Sequence, residues 1–209
     1  MRRGSSTSRG QCTLQRGAPR GNPSPLPRVM ALVFLGVMFG AVGLSAQKSR
    51  PQEYEVKATY LYNFARFVGW PATAAAAKSD SFAICVLGQD PFGPALDAIV
   101  AGETIGGKAV LAKRVTNPQD AVGCRVLYIS SSEESRLREV LAALDRSSIL
   151  TVSDIPQFSQ RGGMIQFVQE SNKVRFEVNL ASAVAAGLTL SSELLKVAVT
   201  VRNVPQPGD

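Results

Sequence analysis

Seven residues without a charge, Phe82-Ala83-Ile84-Cys85-Val86-Leu87-Gly88, give the strongest structural signal in this sequence. A short uncharged run that ends at a turn residue is typical of a strand buried on both faces. Asp90 follows in a position to cap a helix, and Pro91 suits the first turn of that helix. The stretch therefore predicts the first core strand of an α/β domain, leading directly into a helix.

The composition indicates one globular domain without a basic surface. The chain has 209 residues, of which 45% are hydrophobic and 19% charged, and it has a net charge of +7. Six of its 23 basic residues lie in residues 1–46, where there is no acid: Arg2, Arg3, Arg9, Arg16, Arg20 and Arg28. The remaining 17 basic residues are balanced by 16 acidic residues, so the electrostatic case for binding nucleic acid or an anionic membrane disappears.

Residues 29–44 form an apolar run that follows Arg28 and is followed by small residues up to Ala46. The run is too short to span a bilayer comfortably, and the small residues suit signal peptidase. We therefore predict a signal peptide over residues 1–46, cleaved between Ala46 and Gln47. The part before the apolar run is unusually long, which indicates an over-extended N-terminus with translation starting near Met30. An uncleaved membrane anchor is the alternative.

The chain contains no histidine. This excludes a Ser-His-Asp or Cys-His catalytic arrangement and a histidine metal site. The turn at residues 88–93 matches no nucleotide-binding motif, and the acidic residues form no sequence cluster typical of calcium or zinc ligands. We therefore expect no catalytic residue, no cofactor and no metal, and we do not expect an enzyme.

Cys12 lies in or before the leader, which leaves Cys85 and Cys124 in the exported part. An even pair in an oxidising compartment suggests a disulfide. Two buried free thiols are the alternative.

Strand and helix patterns alternate along the exported part. A helix with apolar residues from Val56 to Val68 ends at Trp70-Pro71, and its aromatic side chains are expected to pack on the sheet rather than to form an exposed binding face. Further strands are predicted at 109–115, 125–130, 149–152, 164–168 and 173–178, and further helices at 91–101, after Ser131, at 181–186 and from Ser191 through Val201. The last two strands are predicted to form an antiparallel hairpin with a four-residue connection.

This alternation predicts an α/β fold: one domain with a mixed, mostly parallel sheet, flanked by helices on both faces and ending in a β-hairpin and helices. Residues 202–209 are predicted to be a disordered tail.

Several segments, taken in order, resemble the YfiR family. They are the aromatic helix of residues 55–71, Ile84-Cys85-Val86-Leu87-Gly88, Leu150-Thr151-Val152-Ser153-Asp154, Gly162-Gly163-Met164-Ile165, Arg175-Phe176-Glu177-Val178-Asn179-Leu180, Gly187-Leu188 and Leu194-Leu195-Lys196. The resemblance covers about residues 53–201 and implies a periplasmic α/β domain over that range. It also implies that Cys85 and Cys124 correspond to a family disulfide. Residues 155–169 contain no cysteine, so a second pair found in a family member is missing.

The resemblance implies a periplasmic regulator that represses a membrane-anchored diguanylate cyclase by protein contact and so lowers cyclic-di-GMP signalling. The expected partner is the inner-membrane cyclase or a related sensor, and an outer-membrane lipoprotein is a second candidate. A homodimer is also compatible with the chain. The alternative function is a periplasmic small-ligand-binding protein that serves a sensor or transporter, which requires a pocket near the carboxyl ends of the strands.

Overall fold

The structure is a computed structural model that describes residues 49–74, 76, 79–145 and 147–203. The predicted signal peptide, with Ala46 and Gln47, and residues 204–209 of the predicted tail lie outside the described residues. Within the described ranges, no helix is long and apolar enough to cross a membrane.

A mostly parallel sheet of eight strands forms the centre of the domain, and a two-stranded sheet lies beside it. The strands are β1 (Val68–Gly69), β2 (Ser81–Leu87), β3 (Thr104–Ile105), β4 (Lys108–Val115), β5 (Cys124–Ile129), β6 (Leu150–Ser153), β7 (Ile165–Glu170), β8 (Lys173–Asn179), β9 (Thr189–Leu190) and β10 (Thr200–Arg202). The large sheet has the order β10-β8-β7-β6-β5-β2-β4-β3, and β1 pairs with β9. Only β3–β4 and β7–β8 are antiparallel in the large sheet. The predicted α/β class with a mixed, mostly parallel sheet is confirmed.

Five α-helices complete the described fold. They are α1 (Ser49–Phe67), α2 (Pro94–Val100), α3 (Leu137–Ala143), α4 (Leu180–Ala185) and α5 (Ser192–Val197). Short 3-10 helices precede β5, precede α3 and follow β6; they span Pro118–Gly123, Ser131–Arg136 and Phe158–Gln160.

Strand β2 is buried on both faces, as its lack of charge predicts. Because side chains alternate along a strand, Phe82, Ile84 and Val86 enter the core shared with α1 and α2. Ala83, Cys85 and Leu87 enter the opposite core, which α3 covers. Because β2 has a hydrophobic core on each side, helices must cover both faces of the sheet.

Helix α1 packs its aromatic side chains on the sheet, as expected. The Phe64 ring lies 4.9 Å from the Phe176 ring and 5.8 Å from the Phe167 ring, centroid to centroid. Two residues predicted to point inward, Val56 and Phe67, are instead about 40% exposed, while Lys57 is buried. The buried stripe of α1 is therefore rotated from the sequence prediction, so that it includes a charged residue.

Two local predictions on the N-terminal side of helices are wrong, because a side chain forms a turn or a cap at a different residue from the predicted one. Helix α2 begins at Pro94 rather than Pro91, since Asp90 accepts a hydrogen bond from the Phe92 N–H in a turn. The predicted Ser131 cap is replaced by Ser130, whose side chain accepts from the N–H of Ser132 and starts a 3-10 turn.

The C-terminal part also differs from the prediction. The β7–β8 connection contains two residues, not four, because Ser171 and Asn172 both adopt positive φ and close a tight hairpin turn. Val201 lies in strand β10 rather than at the end of a helix, and β10 pairs in parallel with β8. The strand includes Arg202, the first residue of the predicted tail.

A glycine at the start of β7 gives a direct test of core packing. A Cβ added at Gly163 would overlap the ring of fully buried Phe158, whereas a Cβ added at Gly123 would meet no atom within 4 Å. We expect Gly163→Ala to lower the free energy of unfolding by about 1–3 kcal/mol, and Gly123→Ala to change it by less than about 0.5 kcal/mol. Urea unfolding measures both, and equal stabilities would contradict the packing at Phe158.

Candidate functional site

The position where an open α/β sheet usually binds a ligand is filled by the protein's own side chains. From β2 the chain goes to β4 on one side and then to β5 on the other, so the strand order reverses between β2 and β5. Ligands in such sheets bind outside the carboxyl ends of the strands at this point. Here the side chains of Ser132 and Glu133 pack against Gly88, and Ser132 Oγ accepts a 3.0 Å hydrogen bond from the N–H of Gln89.

Glu133 is buried and forms an ion pair with Arg136 at a distance of 2.5 Å. A side chain at Gly88, which has a φ of 86°, would overlap this carboxylate. The crevice between β2 and β5 is therefore closed, and the ligand pocket that the alternative function requires is not formed at this point. This closure was not predicted from the sequence, where a helix was expected after Ser131 and no contact with Gly88 could be read from local patterns.

A second polar cluster closes the neighbouring carboxyl ends of β5 and β6. Lys57 of α1 donates to Asp154 Oδ2 and pairs with Glu53, both at 2.6 Å. Tyr54 donates its hydroxyl to the same Oδ2 at 3.0 Å. Lys57 is only 3% exposed, and its ammonium lies 4.4 Å from the centre of the Tyr54 ring. Because Asp154 directly follows β6, these contacts fix the start of α1 to the sheet at the carboxyl end of that strand.

The pKa values follow from the competition between burial and pairing. Burial raises the pKa of Asp154, but the hydrogen bond and charge of Lys57 lower it more, so the net pKa lies below its ordinary value. Burial lowers the pKa of Lys57, but its bonds to Asp154 and Glu53 raise it above the ordinary value. The Asp154 contribution to stability is therefore present above pH ~3.9, the pKa in an unfolded chain, and is lost as the pH falls through the folded-state pKa. The Lys57 contribution is lost only when the pH rises through its own folded-state pKa, above ~10.4.

Tyr128 extends this cluster into the core. Its side chain is fully buried, and its ring makes an edge contact with Phe92 at 4.7 Å. The Tyr128 hydroxyl and Asp154 Oδ1 are buried without a hydrogen-bond partner in the described residues. Burial and the nearby Asp154 charge raise the Tyr128 pKa, so the phenol remains protonated. Nothing in the sequence linked Tyr54 and Lys57 of α1 to Tyr128 and Asp154, which lie far from that helix along the chain.

The C-terminal end of α1 is held at the amino ends of the strands. Trp70 follows the helix and makes an edge contact with Phe82, at 5.3 Å between ring centres. The guanidinium of Arg125, at the start of β5, lies 5.7 Å from the Trp70 ring, and burial lowers the pKa of Arg125. Helix α1 therefore runs from the carboxyl ends of the strands to their amino ends, fixed by polar or aromatic contacts at both.

We expect Lys57→Met to lower the free energy of unfolding by about 3–5 kcal/mol, because it leaves Asp154 buried without its counter-charge. The double variant Lys57→Met/Asp154→Asn removes both charges and is expected to recover part of that loss. Urea unfolding at neutral pH measures the three stabilities. A double variant that is no more stable than Lys57→Met would contradict the interaction that the structure indicates.

The structure joins Cys85 of β2 and Cys124 of β5 in a disulfide, with a Cα–Cα distance of 6.0 Å. Both cysteines are at most 1% exposed and lie in the core beneath α3. The bridge therefore connects two neighbouring central strands and is not in contact with solvent.

Because the disulfide is buried, we expect a reductant such as dithiothreitol to leave it intact in the native protein and to cleave it only when denaturant unfolds the domain. Labelling of new thiols, followed by mass spectrometry, measures this. Removing the bridge by Cys85→Ala/Cys124→Ala is expected to cost about 4 kcal/mol, from the 39-residue separation that it closes. Rapid labelling without denaturant would instead indicate an accessible, switch-like bond.

Asp90, predicted to cap a helix, belongs to an ion cluster around Arg114 of strand β4. Arg114 pairs with Asp90 at 2.9 Å and with Asp97 of α2 at 2.6 Å, and donates to the carbonyl of Gly93 at 2.8 Å. The Arg114 hydrogen bond is the main cause of the lowered pKa of Asp97. The cluster joins the β2–α2 turn to the neighbouring strand, and we assign it a structural role.

Open space lies along the surface rather than in the crevice. A groove of about 1060 Å³ runs between α1, the start of β8 and α5. It is lined by the apolar or aromatic residues Val56, Tyr60, Val174 and Val197, which we call its floor, and by the basic residues Lys173, Arg175 and Lys196, which we call its rim. We call this surface the basic groove.

A second groove, of about 640 Å³, lies between α3 and α4. Thr151 and Met164 line it at the amino ends of β6 and β7, the edge opposite the closed crevice, and Arg138 and Arg161 also line it.

Together these features define an α/β domain whose usual ligand crevice is closed and whose open surfaces lie along its helices and strand edges. The YfiR/HmsC-like family matches residues 54–199, so the chain belongs to this family, and the resemblance found in the sequence is confirmed.

The solved structures show likeness of fold only. A conserved domain protein from Vibrio cholerae is similar with a TM-score of 0.50 at 11% identity, over 71% of this chain and 60% of that chain. The ABC domain of a Streptococcus pneumoniae protein, in complex with L-Trp, has a TM-score of 0.49 at 11% identity, over 69% of this chain and 60% of that chain. This chain thus spans less than two thirds of either structure. No curated protein matches it.

Proposed function

We propose that the protein is an exported regulator that represses a membrane-anchored diguanylate cyclase by contact in the periplasm. Membership of the YfiR/HmsC-like family over residues 54–199 is the observation that carries this proposal. The apolar run before Ala46 supports export. Its direct partner is the periplasmic region of the cyclase or of a related sensor, and an outer-membrane lipoprotein is proposed to bind the free regulator.

The closed crevice supports regulation by contact. Repression requires only that the regulator bind the inactive state of its partner more tightly than the active state, so no catalytic residue of its own is needed. Ser132 and Glu133 occupy the crevice between β2 and β5, while broad grooves remain open on the surface. We propose that the protein is not an enzyme.

The proposal predicts that deleting the gene from the native bacterium raises intracellular cyclic-di-GMP, because the cyclase loses its repressor. Expression of the full chain is expected to restore the low level. A matched variant that begins after Ala46, and therefore stays in the cytoplasm, is expected not to restore it. Cyclic-di-GMP is quantified by mass spectrometry, with immunoblots to show equal amounts of the two proteins.

Deleting the membrane-anchored diguanylate cyclases one at a time in the same background identifies the partner, since loss of the correct cyclase should suppress the rise. An unchanged cyclic-di-GMP level under conditions where the protein is expressed would overturn the proposal.

Small-ligand binding is a second candidate function, and the groove between α3 and α4 is the observation that favours it. Its volume of about 640 Å³ lies within the usual range of small-molecule sites. It lies at the amino ends of β6 and β7, so it differs from the position that the sequence suggested. A ligand that binds there would raise the thermal unfolding temperature of the protein, and the rise would grow with the logarithm of the ligand concentration once that exceeds the dissociation constant.

A further inference from the structure

The basic groove combines exposed apolar side chains on its floor with positively charged side chains on its rim. Val56 is 40% exposed and Val197 is 55% exposed, although both are apolar. Tyr60 belongs to α1, and its ring packs against the ring of Phe176 on β8. Side chains of this kind remain on a protein surface at some cost, and a cluster of them is typical of a contact surface.

The three rim cations have no ion pair in the part of the chain that the structure describes. Lys173 and Arg175 belong to β8, and Lys196 belongs to α5. The acid that lines the groove, Glu53, shares Lys57 with Asp154, so these three residues carry one net negative charge against the three rim cations. The exported part of the chain is nearly neutral overall, so this local excess of positive charge is a property of the groove and not of the whole surface.

The groove also contains an unpaired strand edge. Strand β10 pairs with β8 only at Glu177, Val178 and Asn179. The outer side of Lys173–Arg175 therefore has no strand partner among the described residues, while the inner side pairs with β7. The Tyr60 hydroxyl donates a long 3.5 Å hydrogen bond to the Val174 carbonyl, and an added strand would replace that bond. An extended segment from another protein can add to such an edge through main-chain hydrogen bonds.

We propose that the basic groove binds an extended, acidic segment of a partner protein. Apolar side chains of the segment lie against Val56 and Val197, and its carboxylates face Lys173, Arg175 and Lys196. A segment of alternating apolar and acidic residues has the required geometry, because side chains on an extended chain alternate between two faces. That this segment belongs to the regulated membrane protein rests on the proposed function.

A peptide fits the groove better than an anionic membrane does. The surface is concave, with a volume of about 1060 Å³, and apolar residues line it together with the cations. A lipid headgroup layer is nearly flat, and binding to it requires more basic residues on one exposed face than the three found here.

The test uses a fluorescent synthetic peptide of alternating glutamate and valine, with fluorescence anisotropy as the measurement. We expect saturable binding to the wild-type protein, weakened by salt because charge pairs contribute to it. Lys173→Glu/Lys196→Glu is expected to weaken binding by about tenfold or more, because like charges then face each other. Arg66→Glu/Lys113→Glu changes two exposed cations elsewhere, which form no ion pair among the described residues, by the same total charge, and it is expected to bind as the wild type does.

Two further reagents keep the result interpretable. Lys173→Gln/Lys196→Gln avoids placing a second acid opposite Glu170 in the hairpin, and it should also weaken binding while keeping the wild-type unfolding temperature. A peptide of alternating glutamate and serine should bind more weakly than the valine peptide, because it cannot use the apolar floor.

No binding by the wild type, or equal loss in both glutamate variants, would overturn the proposal. Binding to vesicles containing phosphatidylglycerol in preference to the peptide would assign the groove to a membrane instead.

The same variants separate this inference from the proposed function in cells. If gene deletion raises cyclic-di-GMP and Lys173→Glu/Lys196→Glu fails to restore the low level while Arg66→Glu/Lys113→Glu succeeds, both proposals are supported. Full restoration by both variants would show that repression does not use the groove. Peptide binding in vitro without any effect of deletion on cyclic-di-GMP would retain the groove and remove the cyclase as the target.

Discussion

The structure depends on the burial of strand β2 on both of its faces. Its alternate side chains enter two separate cores, so helices must cover the sheet on each side. This requirement places α1 and α2 on one face and α3 on the other. The disulfide between β2 and β5 lies within one of these cores and joins the two strands at the centre of the sheet. Because neither cysteine is exposed, the bridge is part of the packed core.

The position of α1 is determined by contacts of a different kind. A buried ion pair is usually a weak source of stability, because both charges lose their hydration, but it strongly penalises arrangements that leave one charge alone. Glu53 lies on the same helix as Lys57, so the contact between Lys57 and Asp154 is the part of the cluster that ties α1 to the sheet. The same helix places Val56 and Tyr60 along the basic groove. The buried pair and the exposed surface are therefore linked through one helix.

Filling the crevice changes what this α/β architecture can do. In related layouts the carboxyl ends of the strands hold a ligand, whereas here Gly88, Ser132 and Glu133 occupy that space in one place and Lys57 with Asp154 in the next. The remaining accessible features are strand edges and grooves between helices. Those features suit recognition of another protein chain, which is the basis of the proposed regulation by contact.

The sequence by itself determined the fold class, because the uncharged run at β2 and the alternation of strand and helix patterns are local properties. It also indicated the aromatic face of α1 and the pair Cys85 and Cys124, since apolar spacing and cysteine number can be read directly. Local patterns could not show that Lys57 is buried, because a lysine on a helix is normally exposed, and its partner Asp154 lies 97 residues away. The closure at Gly88, the strand β10 and the basic groove were likewise decided only by the tertiary structure. Each depends on which distant segments meet once the sheet is assembled, and on the burial and charge that result from that meeting.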